Sequence, residues 1–285
     1  MRGSIRTRVL GAVAGLAVLV AALPAFAAKP IDQKTDLNEL TMLPGLYKLA
    51  GNRGTVSDVY VVLTPKPVLI DCGSRNDWDT ININLKRFGL KLGDVKWVIA
   101  THGHWDHVDN MARIQREFPK VKFAIHAGDA QFVINNDRVF SCAEPLYKGV
   151  PSDPIKVDRV LLDGDTIKVG RNTFRFVHTP GHTPGSITIE TEIAGKKVGF
   201  CGDSVTGYYS LTNRSCAIDW ENSMKRLLKE DLDQLYIGHR EKPFSGKDEI
   251  HAYLQKSLDA ASYKRQQLIR DEEYQNLVHS FETKP

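Results

Sequence analysis

Residues 100–110 read ATHGHWDHVDN and follow directly on Lys96-Trp97-Val98-Ile99, a short apolar run with the pattern of a buried strand. The chain leaves its own core and at once presents three histidines and two aspartates. In extended backbone, side chains two apart project to the same side, so His102 and His104 can grip one ion together. Asp106 and His107 come next, where the chain turns toward a helix, and they can reach a second ion. This spacing predicts two adjacent metal positions rather than one.

A rigid site needs ligands from distant parts of the chain, and the sequence supplies them. His182 stands in TPGHTPGS after the strand Asn172–His178, Asp203 in FCGDS and His239 in LYIGHR, each just beyond an apolar run and beside glycine. Four strand ends converging this way make one cleft. Imidazoles and carboxylates without a required thiolate favour zinc, with manganese or iron as alternatives. Of the other histidines, His126 and His178 flank strands and read as structural. His251 and His279 read as solvated positions near the C-terminal end.

Around these motifs, β-branched and apolar runs predict strands at 46–49, 56–63, 67–71, 96–100, 121–125, 159–162, 166–169, 172–178, 187–193, 197–200 and 235–237. Helical spacing predicts helices at 77–88, 111–118, 128–134, 217–228 and 248 to about 268. Residues 141–158 hold three prolines and little periodicity, a long connection of the kind that covers a site. The succession fits two sheets face to face with helices outside, an α/β layered sandwich.

At the N-terminus, Arg2, Arg6 and Arg8 precede an unbroken small and apolar run from Val9 to Ala22, and Ala25-Phe26-Ala27 offers a cleavage site. This predicts a signal peptide over 1–27, cleaved after Ala27, and a single α/β domain over 28–285. The run is shorter than the roughly 20 residues that span a bilayer, so an uncleaved tether is the lesser reading. Cleavage would remove three of the 38 basic residues and none of the 34 acidic ones, leaving a net charge of +1. That balance gives no electrostatic reason to expect nucleic acid or an anionic membrane as partner. The signal segment predicts a product in the periplasm or outside the cell, and the expected partner is a small-molecule substrate. An exported chain can form disulfides, and this one has four cysteines. Cys72 and Cys201 end apolar runs and read as buried. Cys142 and Cys216 lie in polar connections, where a disulfide between them is an open expectation.

HGHWDH, TPGHTPGS, CGDS and IGHR, in this order and at these separations, resemble the metallo-β-lactamase-fold hydrolase superfamily, and LIDCG resembles its first strand motif. The resemblance spans nearly all of the chain beyond residue 27. It implies an αββα four-layer sandwich with two zinc ions at the sheet edges. Position by position, His102, His104 and His182 would hold the first zinc, Asp106, His107 and His239 the second, and Asp203 would bridge them. Asp71 would orient ligands without being one. Zinc lowers the pKa of bound water to about 7, which makes hydroxide available to attack a carbonyl, with Asp106 orienting it or passing a proton. Trp105, Tyr208 and Tyr209 are candidates for the substrate pocket, and Ser204 and Asn213 for hydrogen bonds to a developing oxyanion.

There are departures from the family pattern. Asp109-Asn110 stand where many members have two glycines, which bears on the pocket rim. CGDS suits both the glyoxalase II and lactonase branches and the periplasmic metallo-β-lactamases, so lactone, ester, thioester and β-lactam bonds all stay open. Two other classes remain beside the hydrolase: a mononuclear iron persulfide dioxygenase-like oxidoreductase, and a nuclease of the same fold, which the neutral charge disfavours.

Overall fold

The structure is a computed structural model and describes residues 40–51, 57–142, 153–206 and 214–270. Tyr208, Tyr209, Asn213, His279, the N-terminal segment and the middle of the 141–158 connection lie outside the described residues.

The first sheet follows chain order: β1 Thr41–Leu43, β2 Leu46–Ala50, β3 Val59–Val62, β4 Val68–Ile70, β5 Trp97–Ile99, β6 Lys122–His126 and β7 Arg159–Leu161. It is antiparallel up to β4 and parallel from β4 to β7. Parallel neighbours need crossovers, and helices supply them. Helix α1 (Trp78–Arg87) joins β4 to β5, α2 (Trp105–Val108) and α3 (Asn110–Glu117) join β5 to β6, and α4 (Ala127–Ile134) follows β6.

The second sheet has β8 Thr166–Val169, β9 Asn172–His178, β10 Ile187–Ile193, β11 Lys196–Phe200, β12 Gln234–Tyr236 and β13 Phe244–Ser245, in the spatial order β13-β12-β11-β10-β9-β8. Only β11 and β12 among these pair in parallel, and α5 (Ala217–Leu227) lies between them in the chain. Helix α6 (Lys247–Arg270) follows β13.

The period-two alternation of strand side chains sorts the apolar residues into three cores. Val68, Ile70, Trp97 and Ile99 meet Phe174, Phe176, Ile189 and Phe200 between the sheets. Leu69 and Val98 point the other way, against Ile81, Leu85, Met111 and Ile114 of the helices. Trp220, Met224 and Leu254 pack α5 and α6 on the outer face of the second sheet. Each fully buried aromatic or aliphatic side chain contributes on the order of 1.5–3 kcal/mol relative to exposure. The layers therefore run helix, sheet, sheet, helix, the αββα sandwich that the motifs implied. Among the described residues no helix is long and apolar enough to cross a membrane.

Candidate metal centre

The strand ends converge on one edge. Asp71 follows β4, residues 101–107 follow β5, His182 lies four residues past β9, Asp203 three past β11 and His239 three past β12. The seven residues expected to hold metal come together there. His102 (1 %), His104 (5 %), His107 (0 %), His182 (4 %) and Asp203 (8 %) are buried, whereas His239 is exposed.

One trio is His102, His104 and His182, and another is Asp106, His107 and His239; within each, one ligand atom per residue lies within 4.8 Å of the others. His102, His107 and Asp203 form a third set that links the two. His104 Nδ1 is 3.0 Å from His182 Nε2. His239 Nε2 is 3.2 Å from both Asp106 Oδ2 and Asp203 Oδ2. Asp203 also approaches His182 Nε2 at 3.6 Å and His107 Nε2 at 3.7 Å, which puts its carboxylate between the trios.

The outer nitrogens of two rings are fixed by neighbours. Asp71 Oδ2 lies 2.8 Å from His107 Nδ1, and Thr101 donates to the same carboxylate from its amide at 2.7 Å and its hydroxyl at 2.9 Å. Thr101 Oγ1 in turn lies 3.1 Å from His102 Nδ1. The inner atoms, His102 Nε2, His107 Nε2 and Asp203 Oδ1, are buried with no hydrogen-bond partner. Buried polar atoms left so are costly unless something else binds them, and imidazole nitrogens aimed beside a carboxylate oxygen are the donor set of divalent zinc. The residues present therefore fit a pair of metal ions.

The electrostatics divide the cage. Burial, together with the rings of His107, His104 and His182, holds His102 well below the usual imidazole range, and burial with His182 does the same for His104. Burial opposes the charged form of His107 too, yet Asp106 and Asp71 lift it well above that range. Against burial, Asp106 and Asp203 raise His239 to about 10. Burial also works against the Asp203 carboxylate, but His107 and His239 hold it well below its ordinary value. His102 and His104 are thus neutral donors, and the carboxylates supply the negative charge that cations need.

A wider ring of contacts holds the loops, and here the sequence reading missed residues. Asp129, buried at the start of α4, accepts from Gly103 N at 2.8 Å, Thr183 Oγ1 at 2.7 Å and Gly185 N at 2.6 Å, tying the 102–107 loop to the loop that carries His182. Its only signal was a carboxylate in the first helical turn past a strand end. Ser57 donates to the Asp106 carbonyl at 2.5 Å. Gly238 is required by close approach, since a Cβ there would stand 2.1 Å from Asp203 Oδ1.

Other expectations are corrected or refined. No disulfide joins Cys142 to Cys216; Cys142 Sγ lies instead 3.8 Å from His104 Nε2. Ser204 is buried and takes a hydrogen bond from Thr179 at 3.2 Å, so it is not an exposed loop donor. Trp105 is buried in α2. Asp109 accepts from Arg75, and Asn110 donates to the Cys72 and Ser74 carbonyls, so both are engaged with the loop after β4. His126 and His178 stack at 4.0 Å outside the cage, and His251 is exposed on α6.

The family model of the metallo-β-lactamase superfamily matches residues 52–268, and the chain belongs to this superfamily of largely hydrolytic enzymes. A probable metallo-hydrolase of Methanocaldococcus jannaschii is 28 % identical over 204 residues, 69 % of this chain and 93 % of that protein. Glyoxylase B2 of Dictyostelium discoideum is 28 % identical over 148 residues, half of this chain and 49 % of that protein, so the match spans about half its length. A subclass B3 metallo-β-lactamase of Bradyrhizobium japonicum superposes with a TM-score of 0.67 at 21 % identity, covering 81 % of this chain and 93 % of that one. At that identity the likeness speaks for the fold alone.

Proposed function

We propose that this chain is an exported dinuclear zinc hydrolase that cleaves a carbonyl-containing bond, in a lactone, ester, thioester or β-lactam. The observation that carries the reading is the position of Asp203, with its carboxylate 3.2–3.7 Å from His107, His182 and His239. His102, His104 and His182 would hold one ion, Asp106, His107 and His239 the other, and Asp203 would lie against both. Bound zinc supplies Lewis acidity toward a carbonyl oxygen and lowers the pKa of water to about 7.

The chain's own residues do the positioning. Asp71 and Thr101 fix the His107 ring, so that Nε2 faces inward. Asp129 fastens the two histidine loops to each other. Asp106 is half-buried at the cage and holds its carboxylate toward His239, where it can orient a water molecule and accept its proton. Export rests on the arginine-led apolar run before Ala27, and a small-molecule substrate on the near-neutral charge beyond it.

The test is a hydrolysis panel of a lactone, a thioester and nitrocefin, run on protein purified without chelators. Turnover of one of them, abolished by chelator and restored by zinc, supports the hydrolase and selects its branch. One bound iron with oxygen consumption on a persulfide, and no hydrolysis, would replace it with the dioxygenase reading.

A further inference from the structure

His239 differs from the rest of the cage. Its side chain is 27 % exposed, against 0 % for His107 and 3 % for His182, and its backbone sits at φ +61°. That left-handed conformation is strained for a residue with a Cβ. Something must hold the backbone there, and both neighbours of His239 are gripped. Gly238 N donates to Gly202 O at 2.8 Å. Arg240 is gripped by a buried ion pair.

Lys48 Nζ and Asp58 Oδ1 are 2.7 Å apart, with side chains 4 % and 2 % exposed. Lys48 Nζ donates to Arg240 O at 2.9 Å, and Arg240 N donates to Asp58 Oδ2 at 3.3 Å. The pair therefore takes both backbone groups of the residue that follows His239. Tyr60 Oη donates to Asp58 Oδ2 at 2.9 Å and fixes the carboxylate. Room for it comes from Gly51, at φ +91°, where a Cβ would lie 2.2 Å from Asp58 Oδ1 and 2.6 Å from the Asp58 backbone.

Stability alone does not account for this pair. Removing two charges from water is costly, and their attraction does little better than offset it, so apolar side chains at 48 and 58 would serve the sheet as well. What apolar residues cannot provide is a donor and an acceptor aimed at one residue 182–192 positions away.

We propose that Lys48 and Asp58 are a positioning pair for His239, and that they set the occupancy of the metal position formed by Asp106, His107 and His239. This rests on the dinuclear reading above. The polar contacts of the pair run to each other, to Tyr60 and to the Arg240 backbone, so the pair acts through the backbone at Arg240.

The experiment measures zinc per chain and stepwise zinc affinity, by chelator competition, for the wild type and four variants. Lys48→Met/Asp58→Val removes both charges together and leaves neither uncompensated. Lys48→Leu/Asp58→Leu, a second apolar pair that likewise leaves no charge uncompensated, keeps the question answerable if the first does not fold. His239→Ala marks loss of the position itself, and Leu254→Ala, on the buried face of α6, controls for lost stability. The expected result is two zincs in the wild type and Leu254→Ala, and one in His239→Ala. In both Lys48 variants the weaker zinc step should fall by about 10–100-fold, the usual effect of losing a group that orients a ligand, with the tighter step unchanged. Wild-type affinity at both steps in the Lys48 variants, or an equal loss in Leu254→Ala, overturns the proposal and leaves the dinuclear reading standing. A wild type that binds one zinc, unaffected by His239→Ala, overturns both.

Discussion

Asp71 Oδ2 stands 2.8 Å from Nδ1 of His107, and the same carboxylate takes two hydrogen bonds from Thr101. Asp71 itself sits at φ +57°, a conformation that aspartate and asparagine tolerate better than most residues. Asp71→Asn preserves that tolerance but must turn an amide N–H toward either His107 or the Thr101 amide, so one bond is lost. Zinc affinity should fall by about 10–100-fold with the fold intact. Chelator competition beside circular dichroism measures it, and unchanged affinity would remove the orienting role.

Asp129 yields a pH prediction. Burial raises its carboxyl to about 6, only partly offset by the bonds from Thr183, Gly103 and Gly185. Folded protein thus holds this proton more tightly than the unfolded chain. The stability Asp129 contributes is fully present below about pH 4 and is lost as pH rises through about 6, on the order of 3 kcal/mol in all. Asp129→Asn leaves three donors facing one acceptor oxygen and should be less stable throughout. Its deficit should shrink between pH 4 and 6. Urea titrations of both proteins across that range measure the difference, and a deficit that grows with pH would contradict the assignment.

Gly238→Ala should strike the cage directly. The added methyl would stand 2.1 Å from Asp203 Oδ1, so either the loop or the carboxylate between the trios must move. Bound zinc and hydrolytic turnover should both drop by at least about tenfold. Full metal content and activity in this variant would mean that Asp203 is not held where the structure puts it.

No disulfide links the four cysteines. Thiol titration of the denatured protein, prepared without reductant, should find four reactive thiols. Two would restore the Cys142–Cys216 pairing that their polar surroundings in the sequence allowed.

Much of this architecture was legible in the sequence because its signals are local. The runs ending at Ile70, Ile99, His178, Phe200 and Tyr236 are apolar or alternating, and each delivers a histidine or aspartate to the same sheet edge within a few residues. The edge strands β1 and β13 were missed, since segments of three and two residues carry no period and exist by pairing with β2 and β12. Residues that hold the cage without lining it were missed for a related reason. Asp129 meets its partners 26–56 residues away, and Lys48 meets Arg240 across 192. Nothing in their immediate surroundings records those contacts. Ser204 was misread because its polar side chain looked like loop surface, whereas the turn after Asp203 folds it inward onto Thr179.

The central claim is a pair of metal ions with Asp203 between them, and elemental analysis of the wild type beside Asp203→Ala tests it most directly. The account predicts about two zincs per chain in the wild type and a marked loss from both positions in Asp203→Ala, measured at the same free zinc. One metal per chain in the wild type, unchanged by Asp203→Ala, would contradict it.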